Sequence, residues 1–135
     1  MANRHFRQFM FGLEPMPVRL QAKVTATATQ TGNSPQTLTR AKGITSVTAA
    51  ATGLWTITLQ DKYVSLIGFD VSFISPDGVA LPANTGACVM SETVAGAGKT
   101  IVVQLLAGVN AHAAAAPNTG DIALIEIVLN NSSAL

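Results

Sequence analysis

The stretch TVAGAGKT at 93–100 comes nearest to a chemical motif in this chain. A phosphate-binding loop needs G-x-x-x-x-G-K-[ST], because its backbone amides and lysine cradle phosphates while its hydroxyl meets magnesium. Gly98, Lys99 and Thr100 fit that spacing, but Thr93 stands where the first glycine belongs. Only 35 residues follow Thr100, too few for the parallel sheet that positions a nucleotide. The stretch therefore reads as a glycine-rich hairpin turn with an exposed lysine. His5 and His112 lie far apart, neither near a nucleophile context. Cys88 falls in the apolar run Ala87 to Met90, where a small buried side chain is the expectation. As the only cysteine it excludes an internal disulfide and every multi-cysteine zinc pattern. Acid–base catalysis needs two carboxyls in one cleft, and the seven acids are spread singly. No H-E-x-x-H and no EF-hand loop is present. No catalytic residue, cofactor or metal is expected, and the chain does not read as an enzyme.

The N-terminal segment offers contact chemistry instead. Phe6, Phe9, Met10 and Leu13 stand at i, i+3, i+4 and i+7, the spacing of one apolar helical stripe. Arg4 and Arg7 flank it, Phe11 adds a third aromatic, and Pro15 and Pro17 end it. A helix of about ten residues does not persist alone in water, so the segment must pack on something. Arg4, Phe6, Arg7, Phe9 and Phe11 are the expected docking residues. A nucleic-acid partner is not expected, because Arg4, Arg7, Arg19 and Lys23 make a thin phosphate footprint without a reading motif. Nor is a membrane: no apolar run reaches the about 18 residues that span a bilayer, and the stripe is short. The basic start leads only into Phe9 to Leu13 before Glu14 and Pro15, which does not read as a secretory signal.

The elements that must carry these residues are strands. From Leu20 the pattern has period two, with Leu20, Ala22, Val24, Ala26 and Ala28 alternating with polar residues. Residues 43–50 and 53–60 form a hairpin around Ala51-Thr52-Gly53, with Trp55, Ile57 and Leu59 on one face. Further strands are expected at 66–75, 87–93, 100–107 and 121–129, and a loop with one helical turn at 112–120. The expected fold is all-β, an antiparallel sandwich or barrel of about seven strands, with a short N-terminal helical arm. Residues 1–20 are the arm and 21–135 the sandwich. Along 122–129 both faces are apolar, with Ile122 and Leu124 on one and Ile125 and Ile127 on the other. A small sandwich has one inside, so the second covered face implies a partner subunit or the arm folded back. With a partner, these four and Glu126 are expected at a homo-oligomer interface, most simply a trimer. Glu126 and Gln104 interrupt apolar runs and either sit at an interface rim or pair with each other.

Composition agrees with an assembled part. Hydrophobic residues make up 48% and charged ones 11%, against about 25% charged in an average soluble protein. That excludes disorder and leaves a sparsely charged surface. The net charge of +1 conceals an asymmetry. Residues 1–42 hold Arg4, Arg7, Arg19, Lys23, Arg40 and Lys42 against Glu14, whereas the remainder holds Lys62 and Lys99 against six acids. Such a polarity suits a part that docks basic end first or stacks on copies of itself.

Residues 1–14 (MANRHFRQFMFGLE), 16–24 (MPVRLQAKV), 42–68 and 125–135 (IEIVLNNSSAL) together resemble a family of small tailed-bacteriophage virion proteins. The most specific part runs from Gly43 to Leu66, and 75–120 is least alike. The resemblance implies a β-rich accessory protein of the head-decoration or cement kind, binding major capsid subunits on the capsid surface after assembly in the host cytoplasm. It implies no catalytic residues. A tail or fibre adaptor, or a host-surface module binding a receptor or glycan through loops 75–86 and 108–120, is the alternative.

Overall fold

The computed structural model describes residues 17–76, 78, 81–108 and 113–130. Nine strands run through them: β1 Pro17–Thr25, β2 Ser34–Pro35, β3 Thr37–Thr39, β4 Ile44–Ala51, β5 Leu54–Leu59, β6 Ser65–Ile74, β7 Asn84–Glu92, β8 Thr100–Ala107 and β9 Ile122–Asn130. They form two antiparallel sheets, one ordered β3-β1-β9-β6 and the other β2-β4-β5-β8-β7. The chain is all-β, with no helix among the described residues.

Period-two alternation builds the layers. Leu20, Ala22 and Val24 of β1 point inward while Arg19, Gln21 and Lys23 point out. Trp55, Ile57 and Leu59 of β5 are fully buried, as are Ile101 and Val103 of β8 and Ile127 and Leu129 of β9. Full burial of each such side chain stabilises the fold by about 1.5–3 kcal/mol. The Trp55 indole N–H donates to Gln30 Oε1 at 3.0 Å, and Gln30 Nε2 donates to Gln36 Oε1 at 2.7 Å. Buried Gln36 also accepts from the Thr27 amide at 2.9 Å, so this polar chain fastens the 26–36 loop to the core.

The β4–β5 hairpin turns at Thr52-Gly53, where Gly53 has φ +70°. A Cβ there would lie 2.7 Å from the Ala115 backbone nitrogen, because the 113–117 stretch crosses the turn. That stretch is not the expected helical turn in its described part. Ala115 N–H donates to Leu105 O at 3.1 Å, and Ala114 bridges Leu106. Four alanines gain little as a helix, and pairing with β8 satisfies their backbone instead. The helical arm falls on residues 1–16, outside the described residues. Residues 17–20, assigned to the arm by sequence, are the first half of β1: Pro17 pairs with Asn130 and Leu20 with Ile127.

Candidate functional site

The expected docking residues Arg4, Phe6, Arg7, Phe9 and Phe11 lie outside the described residues, as do His5 and His112. The expected interface strand is fully described. β9 is an inner strand, held between β1 and β6. Ile125 and Ile127 are 3% and 0% exposed, so the chain's own second sheet covers them and they are unavailable to a partner. Ile122, Leu124 and Glu126 occupy the outer face. There Glu126 pairs with Arg19 Nη1 at 2.6 Å and accepts from Gln21 Nε2 at 3.3 Å. Gln104 is on the other sheet, opposite Leu54 and Cys88, so it does not pair with Glu126. The face around Leu124 is a mixed one: Gln21, Lys23, Arg40, Asp70 and Ser72 surround it in a shallow depression of about 400 Å³.

Cys88 corrects another expectation. It is exposed rather than buried. β7 is the last strand of its sheet, and its alternation turns Ala87 and Val89 to the core and Cys88 outward. Of the apolar neighbours that hid this in the sequence, Ala87 and Val89 are only half-buried and Met90 is exposed. Residues 93–99 connect β7 to β8, two antiparallel strands, and Thr100 opens β8. Thr93 and Thr100 hydroxyls meet at 2.9 Å, Gly96 N–H donates to Thr93 O at 2.9 Å, and Lys99 Nζ donates to Gln60 O at 2.9 Å. A strand follows Thr100 where a phosphate loop would open a helix, so the amides are not arrayed for phosphate.

What the fold does bring together is an apolar border along β6 and β7, the terminal strands of the two sheets. Leu66, Phe69, Val71 and Phe73 of β6 face inward yet stay half-buried, as do Ala87 and Val89 of β7. Val64, Ile67, Ile74, Leu81 and Met90 are exposed beside them, Ile67 at 60% and Leu81 at 89%. Away from this border Leu124 is the one comparably exposed large apolar residue among the described residues. A groove of about 690 Å³ opens here, walled by Val71, Phe73, Leu81, Pro82 and Thr85. Its rim is tied down: Asp121 Oδ2 accepts from Ala83 N at 3.4 Å and Asn118 N at 3.1 Å, and Gly108 N–H donates to Ala83 O at 3.0 Å. Asn84 lies under the rim, its Nδ2 donating to Ala115 O at 2.7 Å and Leu106 O at 3.3 Å. Its buried Oδ1 has no partner.

No candidate residue read from the sequence lies on this border except Cys88. The signal was present in β6, whose LIGFDVSFI carries one charge in nine residues. Chemically the site offers apolar contact and unpaired strand backbone. Among the described residues no three His, Cys, Asp or Glu side chains gather as a metal cluster would require, and no helix is long and apolar enough to cross a membrane. No family model matches the chain, and neither a curated protein nor a solved structure matches it.

Proposed function

We propose that this protein is a structural subunit of a tailed-phage virion, a capsid decoration or cement protein that oligomerises and binds major capsid subunits. The observation that carries the structural role is the apolar border of β6 and β7. Exposed side chains from Val64 to Met90 lie along these two strands and the residues beside them, and such a patch is stabilised by a neighbour. The resemblance over residues 1–14, 16–24, 42–68 and 125–135 supports the virion setting of this reading. Residues 1–14, with Arg4, Phe6, Arg7, Phe9 and Phe11, are the docking element that ties a copy into the shell. Linked copies hold a repeating lattice together even when each contact is weak, because every further contact is intramolecular.

Co-sedimentation with capsids assembled in its absence tests this reading. Full-length protein should pellet saturably with them. Deletion of residues 1–14 should leave the thermal transition in place and abolish or sharply weaken pelleting. Equal pelleting of both forms would remove the docking role, and saturable binding to tails but not heads would replace decoration with a tail adaptor.

A further inference from the structure

We propose that the edge of β6 receives residues 7–13 of a second copy of this chain, added as a strand whose aromatic face covers the β6–β7 groove. Four strand edges end the two sheets, and an unpaired edge invites a further strand unless it is blunted. Three are blunted. β3 has three residues, β2 has two including Pro35, and β7 is broken by register shifts at Asn84/Gly86 and Val89/Ser91. β6 is ten residues long, lacks proline, lysine and arginine, and pairs on one side only, with β9. Its single shift, at Leu66/Gly68, leaves Ile67 exposed at the edge.

The occupant follows from the chain. Read with period two, Arg7, Phe9, Phe11 and Leu13 share one face while Gln8, Met10 and Gly12 share the other. Phe11, which the helical spacing leaves aside, then joins the apolar side. Charge agrees: β6 and β7 carry Asp70 and Glu92 and no cation, whereas residues 7–13 carry Arg7 and no acid. Sixteen residues precede β1 and reach up to roughly 50 Å when extended, more than the roughly 33 Å of β6.

A second copy is favoured over the chain's own edge. Pro17 and Ser65 flank Asn130 in one row, so the chain enters β1 about 10 Å from the start of its own β6. Reaching that edge requires a reversal around Glu14 to Pro17. The four steps from Leu13 to Pro17 span at most about 14 Å, which the three strand spacings from β1 to a place beyond its own β6 would already use up. The same geometry makes the contact head-to-tail. The donor segment leads into β1 while the acceptor edge is β6, so the two copies contribute unlike surfaces. Head-to-tail contacts close into rings when the rotation allows, a trimer being the simplest.

The proposal rests on the docking role of residues 1–14 given above, and its test uses purified full-length protein with no capsid, so the virion reading stands or falls separately. Sedimentation velocity compares wild type with Phe9→Ala/Phe11→Ala, which damages the donor, and Ile67→Lys, which damages the edge at an exposed position. Wild type should be an oligomer at micromolar concentration, and each variant should dissociate with a constant raised roughly 30-fold or more. Mixing the two variants should restore one joint, the sound segment of the edge variant on the sound edge of the other, giving heterodimers but no closed ring. Ile74→Lys is a second edge variant should Ile67→Lys disturb the thermal transition. A monomeric wild type, variants that keep the wild-type mass, a mixture without heterodimers, or dissociation by Leu124→Lys alone would each overturn the proposal.

Discussion

Tyr63 sits where the chain leaves β5 for β6, its amide donating to Val94 O at 2.9 Å and its ring packed at the margin of the core. Burial, and secondarily the negative charge of Asp61, push its phenol above the ordinary value of 10.0. The folded state therefore favours the neutral phenol. Its contribution is complete below the unfolded value and is lost as pH rises through the higher folded one. Tyr63→Phe should lose less stability than wild type as pH rises past 10.0, measured by urea unfolding; parallel losses would show that the phenol is not responsible. Polar residues of this kind were the hardest to read from sequence. Gln36, Asn84 and Asp121 are buried because the 26–36, 81–84 and 113–121 segments fold over the sandwich ends, and no period marks such positions. Cys88 misled in the opposite direction, since an apolar setting in sequence says nothing about which face of an edge strand a residue takes.

Among the elements, the β4–β5 turn is the most constrained. Gly53 combines φ +70° with a backbone neighbour 2.7 Å from where a Cβ would stand, and its carbonyl accepts from Leu105 N–H at 2.6 Å. Gly53→Ala should destabilise the protein by about 2 kcal/mol or more, because left-handed strain and displacement of the 113–117 stretch add. A change under about 0.5 kcal/mol in chemical denaturation would contradict that packing. The long strands were legible because their alternation is regular, as in β1, β5 and β8. β2 and β3 were not, since two or three residues cannot display a period. The two apolar faces of β9 were visible in its sequence, but the partner for one of them is the second sheet of the same chain. Ile125 and Ile127 belong to that inner face, which leaves Ile122, Leu124 and Glu126 outside.

In the whole molecule Arg19, Lys23, Arg40 and Lys42 gather around β1 and β3, and an apolar border runs along β6 and β7. The charge asymmetry was readable as a difference between the first 42 residues and the rest. The apolar border needed the sheet order, which makes the consecutive strands β6 and β7 the terminal strands of the two sheets. A subunit with unlike surfaces suits a repeating shell, where each copy meets the next in the same way. The most direct measurement is a cryo-electron reconstruction of the virion that carries this protein. The expected result is a nine-stranded sandwich on the outer surface of the head, in contact with major capsid subunits and with other copies of itself. Density for the sandwich on the tail or fibres alone, or its absence from the particle, would contradict a role in decorating the capsid.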